Sequence, residues 1–289
     1  MAAAKGMGLP QEPVARADIR ALTAYNLADV DRAFGVEQRA FWRAVVRLFA
    51  WLPARRVAQV LAKADALADR QGMPVAGALL VERFAGQIAA RGAEIPSAGP
   101  VICVANHPGL VDAPALAAVI GRRDLRIIAA ERPLLRALPG ISRLLIEVPA
   151  DAGGRGQALR RAARHVQAGG ALLTFPAGRI EPDPAVMDDA ADSLQNWSDM
   201  PVLLRRLVPD AALYALCVSG VCSPRALAHP WVQRRGARAD REWLAATLQL
   251  MDARFRAPVV TVQAAPVEAT QSVGAVMAQL IATAPRSDR

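Results

Sequence analysis

The sequence predicts an α/β fold: a mixed, largely parallel sheet flanked by helices and preceded by an N-terminal helical segment. Three observations carry this expectation. From residue 100 onward, short β-branched runs alternate with helical ones, the pattern of strands laid side by side with helices on the sheet faces. Before that, residues 25–95 repeat apolar positions at helical spacing. The chain has 289 residues, 53% hydrophobic and 21% charged, enough length and apolar content for one large core.

In chain order, residues 1–20 are rich in Ala, Gly and Pro and are expected to be poorly ordered. Residues 21–95 form the helical segment, with periodic apolar positions through 34–51, 57–67 and 75–90. Pro53 and Pro74 are expected to break it. Within residues 37–52, Arg39, Arg43 and Arg47 fall at i, i+4 and i+8, while Phe41, Trp42, Val45, Val46, Phe49 and Trp51 cover most of the rest. Two readings stay open: a helix lying in a headgroup plane, or one packed on its own domain with its arginines in solvent.

Residues 96–289 read as the α/β domain. Strands are predicted at 101–105, 125–129, 144–148, 171–175, 213–218 and 258–262, and helices at 113–120, 134–138, 156–167, 241–254 and 273–284. Ligand sites in such sheets gather at the carboxyl ends of the strands.

Composition narrows the partners. The net charge is +9 and the isoelectric point about 10.7, which favours anionic partners. Aromatics are only 4% and no nucleic-acid-binding motif is present, so nucleic acid is not expected. The three cysteines, Cys103, Cys217 and Cys222, form no CxxC pair. Neither a metal site nor a disulfide framework is expected, and a reduced compartment fits. No apolar run reaches the length that spans about 30 Å of hydrocarbon, and residues 1–16 lack a signal-like apolar core. The expected location is cytoplasmic, peripheral on the inner face of the cell membrane.

Of the three histidines, His107 follows the predicted strand 101–105 directly. Pro108 suits the first turn of a helix, so His107 is expected at a strand-to-helix turn facing a cleft. Asp112, five residues later, can fold back and accept from one imidazole nitrogen, leaving the other free to take a proton. That is the base-plus-orienter half of a catalytic triad, and the nucleophile can be a substrate hydroxyl. A second segment, Phe175-Pro176-Ala177-Gly178-Arg179, ends the predicted strand 171–175. Gly178 allows close backbone approach to a ligand, and Arg179 offers a planar fork for phosphate or carboxylate. Glu131 and Arg132 end another strand on the same expected edge, where they line the cleft or cap the following helix.

Asn106-His107-Pro108-Gly109-Leu110-Val111-Asp112 resembles the NHxxxxD signature of the lysophospholipid/glycerol-phosphate acyltransferase superfamily, and Phe175 to Arg179 resembles its FPEGTR signature in an FPAG variant. Glu131-Arg132-Pro133-Leu134-Leu135 with residues 139–148 resembles the intermediate block, and residues 207–220 loosely match the last; the resemblance spans about residues 85–225. It implies an O-acyltransferase that moves a fatty acyl group from an acyl thioester, on acyl-CoA or acyl-carrier protein, to a hydroxyl of a lysophospholipid or other lyso-lipid. It implies His107 as general base and Asp112 as its orienter. Asn106, Gly109, Glu131, Arg132, Phe175, Pro176, Gly178 and Arg179 would bind substrate. No cofactor beyond the thioester donor and no metal are implied; the partners are a membrane lipid acceptor and an anionic membrane surface.

The sequence departs from the signature. Ala177 stands where the family has glutamate, the arginine comes one residue early, and Ile180 takes its usual place. These changes bear on the acceptor more than on acyl transfer, and Ala177 motivates the alternative of a catalytically inactive lipid-binding member of the fold. An esterase would need a serine on a G-x-S-x-G elbow, but Ser219 is flanked by Cys217 and Val221 at the glycine positions. Asp188, Asp189 and Asp192 read as a solvated acidic patch, and His165 as part of a basic helix face with Arg160, Arg161 and Arg164.

Overall fold

The computed structural model describes residues 16–149, 152–257 and 259–287. Residues 1–15, the greater part of the segment expected to be poorly ordered, lie outside these, as does Pro258. The chain enters through α1 (Ile19–Phe34), α2 (Ala40–Gln71) and α3 (Met73–Phe84) and then β1 (Gln87–Gly92) and β2 (Val101–Ala105). Next come α4 (Asp112–Ile120), β3 (Arg126–Ala130), two single-turn helices α5 (Pro133–Arg136) and α6 (Pro139–Ser142), and β4 (Leu145–Val148). Then follow α7 (Ala152–Gln167), β5 (Ala171–Thr174), α8 (Met200–Leu207) and β6 (Ala212–Ser219). The chain closes with α9 (Pro224–Leu227), α10 (Pro230–Gln233), α11 (Arg238–Met251), β7 (Val259–Pro266) and α12 (Val273–Ala282).

Among the described residues the strands form one seven-stranded sheet in the order β1-β7-β6-β2-β5-β3-β4. Every neighbouring pair is parallel except β6 with β7. β2 sits between β5 and β6 and is buried along its whole length, as its unbroken apolar run requires of a strand covered on both faces. One core cluster packs α2, α3 and α4 against the sheet; a second packs α7, α8 and α12 against the other face. Gly77 of α3 lies so close to α4 that a Cβ there would meet the Pro114 carbonyl oxygen at 2.2 Å. That approach fixes where α4 starts.

Two sequence expectations are corrected here. The helical segment ends at Phe84, and residues 87–92 form strand β1, paired in parallel with β7. This edge strand is Ala-rich and mostly exposed, so no β-branched or alternating apolar run marks it; its ladder with β7, not its propensity, holds it extended. Pro53 does not break the helix: α2 runs straight through it. Its neighbours Phe49, Trp51 and Leu52 are exposed, so the carbonyl that loses its N–H partner can be met by solvent.

The orientation of α2 is also informative. Arg47 turns back onto the Asp31 carboxylate of α1 at 2.6 Å, and Arg43 donates to the Glu37 carbonyl. Apolar side chains also point outward: Phe41 is 73% exposed and Phe49 77%, with Trp42, Leu48, Trp51 and Leu52 beside them. Arg39 and Arg47 are exposed as well, so the helix presents arginines and aromatics to solvent together. Among the described residues no helix is long and apolar enough to cross a membrane.

Candidate active site

The β2 and β5 registers run Val101↔Ala171 through Val104↔Thr174, so the chain leaves both strands at the same height. The His107 and Phe175 rings meet there at 4.5 Å with a 34° tilt. The two segments that the sequence places on one edge are therefore in contact.

Between β2 and α4 the chain makes a tight turn. Gly109 has φ +91° and Leu110 φ +54°, the left-handed region, which costs a non-glycine residue roughly 1 kcal/mol or more. Asp112 closes the turn. It is the first residue of α4, so residues 108–111 lie before the helix rather than in its first turn as expected from Pro108. Its Oδ2 accepts from the Gly109 N–H and from His107 Nδ1, both at 2.7 Å, and its Oδ1 accepts from the Ala113 N–H. The positive end of the helix dipole favours a negative charge at this position.

A carboxylate only accepts, so this pairing puts the imidazole proton on Nδ1 and leaves the Nε2 lone pair outward. The His107 side chain is 27% exposed, and among the described residues nothing hydrogen-bonds Nε2. Burial pushes the imidazole pKa down, but the charge and hydrogen bond of Asp112 and the nearby Glu181 charge outweigh burial and the opposing Arg132 guanidinium. The net result lies above the ordinary 6.5.

The other sequence-predicted residues divide. Asn106 is buried, its amide nitrogen donates to the Val218 carbonyl at 2.9 Å, and its oxygen accepts from the Val218 N–H at 2.7 Å. The side chain thus continues the β2–β6 ladder in place of a peptide. Glu131 pairs with Arg136, whereas Arg132 is exposed and close enough to act on both His107 and Asp29 of α1. The Pro176 carbonyl accepts from both the N–H and the hydroxyl of Ser198, which anchors the second loop. Gly178 and Arg179 remain exposed beyond it. His165 is not part of a solvated face, since its Nε2 lies 3.0 Å from the Ala171 carbonyl. Asp188 and Asp189 are paired, with Arg286 and Arg238. Ser219 is buried as the last residue of β6, not raised on an elbow.

Two buried carboxylates just beyond Ile180 were not expected from the sequence. Asp183 is fully buried and accepts the N–H groups of Ala185, Gly220 and Cys222 at 2.8–2.9 Å, which binds the loop after β6 to the loop after β5. Burial raises its pKa, and these backbone donors oppose the rise. Glu181 accepts from the His107 main chain. The available signal was Glu181-Pro182-Asp183-Pro184, two acidic residues fixed by prolines directly after a loop that ends a strand.

The His107 titration follows from these contacts. Its pKa is raised on folding, so the pair's contribution to stability is complete below about pH 6.5 and is lost as pH rises through the folded-state value. Asp112→Asn removes the attraction and leaves burial dominant. NMR titration of the imidazole should give a value above 6.5 in the wild type and a clearly lower one in the variant. An unmoved titration would show that Asp112 does not govern His107.

Residues 87–205 match the Acyltransferase family model. No curated protein matches the chain. Among solved structures, the crystal structure of the 1-acyl-sn-glycerophosphate (LPA) acyltransferase PlsC from Thermotoga maritima is similar at 18% identity, covering 90% of this chain and 95% of that one, with a TM-score of 0.42. The matched span, residues 87–205, holds both loops of the site and forms an acyltransferase-family region of the chain.

Proposed function

We propose that this acyltransferase moves a fatty acyl group from an acyl thioester to a hydroxyl of a lysophospholipid or another lyso-lipid, with His107 as general base. The observation that carries the reading is the 2.7 Å contact of His107 Nδ1 with buried Asp112, beside a ring that still reaches the surface. In this reading Nε2 takes the proton of the acceptor hydroxyl as its oxygen attacks the thioester carbonyl. The tetrahedral intermediate then collapses, the C–S bond breaks, and the leaving thiolate takes the proton back from the imidazolium. Asp112 holds the tautomer and balances the transient positive charge. The donor is acyl-CoA or acyl-carrier protein, and Arg132 and Arg179, both exposed, supply cations for anionic groups of donor or acceptor.

His107→Ala removes the base and should lower acyl transfer on the order of 10³-fold, the middle of the usual range for general-base loss. Mass spectrometry of purified protein with an acyl thioester and lysophospholipid reads this directly. Wild-type rates in the variant would contradict the base assignment. A wild-type protein that binds lipid but consumes no thioester would favour the inactive lipid-binding alternative.

We further propose peripheral attachment through α2 to the cytoplasmic face of an anionic membrane. The exposed Phe41, Trp42, Leu48, Phe49, Trp51 and Leu52 and the net charge of +9 support it, since apolar insertion and charge attraction add at such a surface. Sedimentation with phosphatidylserine-containing vesicles should capture the wild type, and Phe49→Glu should reduce capture several-fold. Equal capture of the two proteins would count against this surface.

A further inference from the structure

Glu181 has no place in the proton transfers just described, yet it holds His107 from two sides. Only 3% of it is exposed. Its Oε2 accepts the His107 N–H at 2.8 Å, and its Oε1 accepts Trp197 Nε1 at 2.7 Å and the Ser193 hydroxyl at 2.8 Å. Its own N–H donates to the His107 carbonyl at 2.7 Å. Both main-chain polar groups of His107 therefore end on one residue, 74 positions away. Burying a carboxylate is costly unless donors meet it, and here three do. Ile180, the preceding residue, packs on Gly109: a Cβ at Gly109 would lie 2.9 Å from the Ile180 side chain. The loop after β5 thus grips the His107 turn along its length.

We propose that Glu181 is a positioning residue for His107, locking the turn so that the imidazole is held at a fixed depth and angle toward the acceptor hydroxyl. This rests on the reading of His107 as the base. The turn needs such a lock, because it carries a left-handed leucine at Leu110 and would otherwise relax. A displacement of about 1 Å at a reacting group can cost roughly 10²-fold in rate. The charged groups facing His107 are Asp112 on α4, Glu181 on the loop after β5, and Arg132 at the start of α5. The two carboxylates favour the imidazolium and Arg132 opposes it.

The test is Glu181→Gln, read by kinetics and by NMR titration of His107. An amide has one accepting oxygen, so its NH₂ must face either the His107 N–H or the Trp197 and Ser193 donors. The side-chain half of the lock is lost without loss of volume, while the Glu181 N–H still meets the His107 carbonyl. The expected result is a kcat lower by about 10- to 10²-fold, an acceptor KM little changed, and a His107 titration moved to lower pH, since one of the groups that raises it is gone. Wild-type kcat with an unmoved titration overturns the proposal. If Glu181→Gln does not fold, the double variant Trp197→Phe/Ser193→Ala keeps the carboxylate and releases its Oε1. A lower kcat at unchanged KM then supports the proposal, and an unchanged kcat overturns it. The two readings fail separately: an active His107→Ala protein removes the base assignment and this proposal with it. An inactive His107→Ala protein beside a wild-type-like Glu181→Gln protein removes the positioning role alone.

Discussion

The parallel pairing of β2 with β5 is the constraint from which the site follows. Two strands 70 positions apart in register must release their loops at the same edge, and the loop after β5 reaches across β2 to the turn after β6 through Asp183. Each loop is then tied to the others by side chains acting in place of backbone. The Asn106 amide extends the ladder to Val218, Asp183 gathers the N–H groups after β6, and the Glu181 carboxylate takes the His107 N–H. Replacing any of these by an apolar residue would leave buried N–H or C=O groups unpaired, at about 1–3 kcal/mol for each group. The site is rigid because satisfying the backbone and placing the histidine are the same task.

The electrostatics are layered. Within the fold, the Asp112 and Glu181 carboxylates are buried beside a single imidazole, where low dielectric strengthens each interaction. Outside, the chain carries a net +9, and Arg132 and Arg179 are exposed on the loops after β3 and β5. Such an arrangement keeps a histidine basic inside while attracting anionic ligands from solvent.

Most of the sheet was legible because its central strands are apolar and β-branched, and burial on both faces leaves that mark in a sequence. β1 left none: an Ala-rich edge strand reads as helix until its partner β7 is known. Pro53 carried a local rule that an exposed helix turn can override. His107 and Asp112 were legible because five-residue spacing at a strand end admits few other arrangements. The backbone role of Asn106 was not legible, because the same amide suits a ligand or a peptide backbone and only the position of Val218 shows the ladder contact. Glu181 was missed because its partner lies in a distant loop, and nothing local in Ile180-Glu181-Pro182 reveals which way the carboxylate turns.

The most direct test of the account is the pH dependence of kcat/KM for the wild-type protein, which reports groups that titrate in the free enzyme. If a neutral His107 is required, activity should rise along one acid-side limb. Its midpoint should lie above the ordinary imidazole value of 6.5 and coincide with the NMR titration of His107. A profile that stays flat across about pH 6 to 8, where imidazoles titrate, would contradict the claim that His107 is the base.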